Sequence, residues 1–83
     1  MHVMVLSPER VAYDGEAEAV VAPAFDGQVG ILPRHAPFVT LLGKGPLTIR
    51  GGGAGETRFH LTGGFLQVAG EVVRVVAEQV ESR

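Results

Sequence analysis

Two closely spaced glutamates and three histidines are the side chains of this sequence whose types and spacing could do chemistry. Glu16 and Glu18 flank Ala17 in "EAEAVVA". If that run is a strand, its period of two puts both carboxylates on one face, roughly 7 Å apart, with Ala17, Ala19 and Val21 on the other. Two carboxylates at such a distance can divide acid and base roles once burial raises the pKa of one. The same alternation also describes a solvated face above a small-residue core face, and that is the reading the pattern favours. His2, His35 and His60 lack i, i+2 or i, i+4 spacing and have no cysteine near them, so no metal set is expected. His35 stands between Arg34 and Ala36-Pro37 in an irregular stretch, where its ring can satisfy main-chain groups that no ladder pairs. Catalysis there would need a partner, and Ser7 and Asp26 are candidates only by being present.

Lys44 is the sole lysine, in the Gly-rich "LLGKGPL". A single lysine on a turn of a small β-domain raises the alternative of a lipoyl- or biotinyl-type carrier. Gly43, Gly45 and Pro46 surround it, however, in place of the acidic or Met neighbour and tight apolar turn that such carriers present. GxxxxGK[ST], GxGxxG after a strand, GxSxG and HExxH are absent, so no nucleotide or hydrolase fingerprint is present.

The scaffold that must position these residues is small. Eighty-three residues supply one core and one domain, 1–83, with a thin stability margin. With no cysteine, the chain has no disulfide or zinc-thiolate staple, and added stability is expected from a partner. A net charge of -2, with both signs dispersed, argues against nucleic acid. "MHVMVLSPER" lacks the regions of a signal peptide and no apolar run approaches a membrane span, which leads to the expectation of a soluble intracellular protein.

Gly and Pro punctuate short runs rich in Val, Leu, Ile, Phe and Thr: "HVMVL", "AEAVVA", "FVTLL", "LTIRG", "TRFHL", "FLQVAG" and "VVRVVAE". Such spacing predicts an all-β, mostly antiparallel sandwich or barrel. Asp14-Gly15 reads as a two-residue hairpin turn, "RGGGAGETR" as a hairpin loop with a mobile tip, and Gly63-Gly64 as a bulge or a close backbone approach. In the last strand Val73, Val75 and Ala77 form one face and Val72, Arg74 and Val76 the other. Even the second face is mostly apolar, which points to a protein partner on it.

"SPE", "YDGEAEAVVAPAFDGQVGILPRHAPFVTLL", "GPLTI" and "GGFLQVAGEVVRVVAE" resemble, in order and spacing, the epsilon subunit of the rotary ATP synthase across essentially the whole chain. The resemblance implies that subunit's N-terminal domain, a flattened β-sandwich of about ten short strands, with no helical domain following. It implies a non-catalytic rotor subunit without cofactor, coupling ion flow to ATP synthesis by docking the gamma subunit to the membrane ring of c subunits. The catalytic alpha/beta hexamer would be met only indirectly, and the complex would sit peripherally on the cytoplasmic face of a bacterial plasma membrane. Ring contact carries over onto Asp26, Gly27 and Gln28, and by extension onto Arg34 and His35; gamma is expected on Val72, Arg74 and Val76. Gln28 stands where some relatives carry Glu, and Arg34 where Gly is usual. The family commonly continues as an α-helical hairpin, whereas this chain stops at "AEQVESR", so a short form without helical autoinhibition is expected.

Overall fold

The computed structural model describes residues 1–34, 36–51 and 55–82. Turn-forming residues cut these into eight strands: β1 (His2–Leu6), β2 (Val11–Glu16), β3 (Ala19–Ala24), β4 (Gly27–Ile31), β5 (Phe38–Leu41), β6 (Lys44–Arg50), β7 (Glu56–Ala69) and β8 (Val72–Ser82). The breaks fall at Ser7–Arg10 around Pro8, at Ala17-Glu18, at Phe25-Asp26, between Ile31 and Phe38, at Leu42-Gly43, between Arg50 and Glu56, and at Gly70-Glu71.

The strand order is β2-β1-β8-β7-β6-β3-β4, with β5 also on β7, and among the described residues only the β1–β8 pair is parallel. The two long strands serve both layers. Val72–Val76 of β8 pair with β1 and Phe65–Val68 of β7 with β5, whereas Glu56–Thr62 of β7 pair with β6. One layer is therefore β2-β1-β8-β7-β5 and the other β8-β7-β6-β3-β4. This is why eight strands stand where about ten short ones are expected: β7 and β8 are each used twice.

The passage between layers occurs at Gly63-Gly64, whose φ values are 67° and 107°. A Cβ on Gly64 would lie 2.0 Å from the Val76 carbonyl oxygen, so the close backbone approach expected here is real. The register steps over Gly63, pairing Thr62 with Gln79 and Gly64 with Ala77.

Alternation then fills the space between layers. Val3, Val5, Leu66, Val68, Val73, Val75 and Ala77 point in from the first layer, and Val20, Ala22, Ile31, Leu47, Ile49, Phe59 and Leu61 from the second. No polar or charged residue is buried among the described residues. Each fully buried Val, Leu or Ile contributes about 1.5–3 kcal/mol, so this seam is what holds the layers together. Tyr13 meets Phe59 edge-on, ring centroids 6.4 Å apart, which ties edge strand β2 to the opposite layer.

Two local expectations are corrected. Asp14-Gly15 is not a turn: both residues lie within β2, opposite Met4 and Val3. The chain reverses instead at Ser7–Arg10, where the Ser7 N–H donates to the Arg10 carbonyl at 2.9 Å and the Arg10 N–H donates to the Ser7 hydroxyl at 3.3 Å. Glu16 and Glu18 do not share a strand face either, because β2 ends at Glu16 and β3 begins at Ala19. Buried Ala17 donates its N–H to the Met1 carbonyl in the first layer, and Glu18 donates to the Arg50 carbonyl in the second. The acid pair is split by the change of layer, and the enzyme reading built on it loses its geometry.

Candidate functional site

The outer face of the first layer carries a row of apolar side chains that crosses all five strands. Leu6 is opposite Val11 and Val76, Val76 is opposite Phe65, and Phe65 is opposite Leu41. Val11 (58%), Leu41 (62%) and Phe65 (40%) are solvent-exposed, and Val39 beside them is 65% exposed. One row along, Asp14, Met4, Arg74, Gln67 and Val39 are aligned in the same way. Leu6, Phe65 and Val76 of this row also line an open cavity of ≈ 450 Å³, together with Ser7, Pro8, Gly64, Ala77 and Glu78. Val72, Arg74 and Val76 all stand on this face, as their alternation predicts, while Val73, Val75 and Ala77 are buried. Sequence reasoning found one strand's share of the surface and missed Leu6, Val11, Leu41 and Phe65. Their only signal is the register that aligns them.

A polar cluster borders the apolar face. His2 on β1 bonds Glu16 through Nδ1 at 2.9 Å and Asp14 through Nε2, both from β2. With a carboxylate on each ring nitrogen, both nitrogens must donate, so the protonated imidazole is favoured and its pKa is raised above the ordinary 6.5, chiefly by Glu16 and then Asp14. The Met1 ammonium donates to the Ala17 carbonyl at 3.1 Å and lies 3.9 Å from both Glu16 and Glu71. These contacts pin edge strand β2 to β1.

The second layer presents a different outer face. Glu56 accepts from Arg58 Nε at 2.7 Å and from Arg50 Nε at 3.2 Å, and these guanidiniums hold its carboxyl below the usual carboxylate range, Arg58 first. His60 lies opposite Pro46 and Glu81. Lys44 is the first residue of β6, paired with Thr62, and so is a strand residue and not the hairpin tip a carrier lysine would need.

At the edge of this layer β3 and β4 form a tight hairpin over Phe25-Asp26. Asp26, Gly27 and Gln28 cluster at its exposed tip, with Phe25 67% exposed beside them. Arg34 is not brought to them: it follows the other end of β4, and the four residue steps of that strand alone cover about 13 Å. Its φ of 68° makes it the one non-glycine in the left-handed region among the described residues. His35 lies outside the described residues, as does the tip of the "RGGGAGETR" loop, whose closing pairs Arg50 with Glu56.

This architecture has matches among known proteins. The family described as ATP synthase, Delta/Epsilon chain, beta-sandwich domain matches residues 1–83. The chain belongs to this family. The ATP synthase epsilon chain of Brevibacillus brevis is 43% identical over 81 residues, covering 98% of this chain and 61% of the relative. That of Chloroflexus aurantiacus is 41% identical over 81 residues, covering 98% of this chain and 58% of the relative. The chain thus spans about three-fifths of the length of these curated relatives. Among solved structures, a chain in the cryo-EM structure of Euglena gracilis mitochondrial ATP synthase (OSCP/F1/c-ring, rotational state 1) superposes with a TM-score of 0.88 at 20% identity, over 96% of this chain and 51% of that one. A chain from the Tetrahymena thermophila mitochondrial ATP synthase central stalk and c-ring gives 0.80 at 21% identity, over 99% and 66%. At those identities the likeness speaks for the fold, and the delta/epsilon β-sandwich is the fold it supports.

Proposed function

We propose that this delta/epsilon β-sandwich, residues 1–83, is the stalk-docking domain of an epsilon-type rotor subunit, non-catalytic, in a rotary ATP synthase. It couples ion flow to ATP synthesis by holding the gamma subunit and the c-subunit ring in one rigid body. The observation that carries the reading is the apolar row Val11-Leu6-Val76-Phe65-Leu41, an interface core in search of a cover, set in a family named for that machine. Gamma docks on this face through Val76 and Phe65, with Val72 and Arg74 towards the polar margin. The β3–β4 tip, with Asp26, Gly27 and Gln28, meets the ring, and Arg34 contributes from past the far end of β4; His35 belongs to the same proposed contact. The alpha/beta hexamer is reached through gamma, and the complex lies on the cytoplasmic face of a bacterial plasma membrane.

The test is native mass spectrometry of the tagged chain purified gently from its own cells, together with Val76→Asp. Co-purification of gamma at unmodified intact mass is expected. Val76→Asp is expected to weaken gamma binding by at least about tenfold, because it desolvates a carboxylate at an apolar contact. The melting temperature should stay near that of the parent, since Val76 points outward. Unchanged affinity would assign gamma to another face, and added mass on Lys44 in a free monomer would overturn the rotor reading.

A further inference from the structure

Strand β2 contributes no fully buried side chain to the core: each of its residues is exposed or half-buried. It lies at the sheet edge with β1 as its ladder partner, and the Tyr13–Phe59 ring contact ties it to the opposite layer. An edge strand with so few buried apolar contacts belongs to the part of a fold that opens first. It nonetheless carries Val11, the outermost member of the apolar row, at one end of its ladder with β1.

The other end of that ladder is held by one ring. His2 stands opposite Glu16, and Asp14 lies one pleat along, so a single imidazole reaches two carboxylates of the edge strand. A protonated ring donates to both; a neutral ring has one N–H and turns a lone pair on the second carboxylate. The charged groups around it are Asp14 and Glu16 from β2, the Met1 ammonium beside it, Glu71 in the turn before β8, and Arg74 on β8. The ammonium is already bonded to the Ala17 carbonyl, and the Arg74 main chain lies two strand spacings, about 10 Å, from that of Asp14. Neither is placed to replace the ring's second donor. The His2 side chain is 39% exposed, so its proton exchanges with solvent.

We propose that His2 is a proton-operated clamp on β2: with a donor on each ring nitrogen the edge strand is held and Val11 completes the apolar face, and with one donor lost β2 opens locally and the face loses that member. The clamp rests on this chain alone, whereas its consequence for binding rests on the reading that gamma docks on this face. The two carboxylates favour the charged ring, so the clamp is fully closed below the ordinary value of 6.5 and releases as pH rises through the raised folded value. Partner affinity then follows proton concentration, and by reciprocity a docked partner holds the proton on His2 more firmly.

The experiment is hydrogen exchange of the β2 amides in the full chain, corrected for intrinsic exchange, for the parent, His2→Gln and His2→Arg. In the parent, protection of β2 relative to β7 and β8 is expected to fall about three- to tenfold between about pH 6 and about pH 9. His2→Gln should show the low protection at both ends of that range. His2→Arg, whose guanidinium donates throughout, should show the high protection at both. Constant protection in the parent overturns the inference, and so does a fall that survives in His2→Gln, since the Met1 ammonium and the acids are common to all three chains. Protection in β7 and β8 reports that each variant is folded. Gamma dissociation from the assembled synthase, compared between the parent and His2→Arg, tests the consequence: the parent should dissociate faster as pH rises. A parent-to-variant ratio that stays constant, while β2 protection responds as expected, overturns the link between clamp and face. Gamma docking itself is judged separately by Val76→Asp, whose failure would leave the exchange result standing.

Discussion

Replacing Gly64 by alanine should be among the most damaging single-methyl changes available to this fold. The new carbon would stand 2.0 Å from the Val76 carbonyl oxygen and 2.7 Å from the Ala77 Cα, both main-chain atoms that no rotamer can move. Ordinary C···O contacts begin near 3.3 Å, so the β7 and β8 backbones must separate by about an ångström at the point where both change layer. The φ of 107° adds strain of roughly 1–3 kcal/mol for a residue with a side chain. Separation also endangers the bond that Leu42 N–H donates to the Gly64 carbonyl at 2.9 Å, and about 1 kcal/mol goes with each ladder bond lost. The sum is about 3 kcal/mol or more, and for a domain of this size that lowers the melting temperature by roughly 12–24 °C. Gly63→Ala is the control: its Cβ would meet the end of the flexible Glu78 side chain at 2.8 Å, which can swing away. It should cost only about 1 kcal/mol, mostly for φ. Urea unfolding followed by circular dichroism gives both values. If Gly64→Ala costs no more than Gly63→Ala, the two-layer crossing is not held by this contact and the argument fails.

Protonated His2 is stabilised by Glu16 and Asp14 in the folded state, so its raised pKa contributes stability that is complete below the unfolded value of 6.5 and is lost as pH rises through the folded value. The melting-temperature difference between the parent and His2→Gln should therefore be largest below the ordinary value of 6.5 and shrink as pH rises above it through the raised folded value. A difference that is flat or grows with pH contradicts the double carboxylate contact. Arg34 holds a φ of 68°, a conformation costing roughly 1–2 kcal/mol for an L-residue with a side chain. Arg34→Gly should stabilise the domain by about 0.5–1 kcal/mol after glycine's own entropy cost; a loss of stability in chemical denaturation would mean that the guanidinium makes a stabilising contact.

What the sequence revealed depended on the range of the interaction. The inward set Val73, Val75, Ala77 follows from simple alternation, and Gly63-Gly64 announces itself because two adjacent glycines are costly in a strand unless a backbone must pass. Asp14-Gly15 misleads for the opposite reason. Its local turn preference is overridden by the pairing of β1 with β2, in which Met4 and Val3 lie opposite those two residues, and by Pro8, which sets the reversal at Ser7–Arg10. The His2 cluster was hidden because the acids that matter are Asp14 and Glu16, at 12 and 14 residues' separation, rather than the neighbouring Glu16 and Glu18. The apolar row is hidden most deeply: apart from Leu6 and Val11, its members are far apart in sequence and are aligned only by ladders, one of them the parallel pairing of β1 with β8.

That parallel pairing also explains how so small a domain can offer two unlike surfaces. By inserting β1 beside β8, the chain brings the N-terminal Leu6 and Val11 into line with Val76, Phe65 and Leu41, concentrating exposed apolar area on one layer. The other layer keeps Arg50, Arg58 and Glu56 in a solvated network and ends in a polar hairpin tip. An apolar face buries well against one obligate partner, while a polar tip can touch a second without being buried by it. Because β7 and β8 run unbroken through both layers, a force applied at either surface is carried by continuous hydrogen-bonded strands and not by side-chain packing alone. The coupling role proposed above would need that property, and the bare glycine at position 64 is what lets the two backbones pass closely enough to provide it.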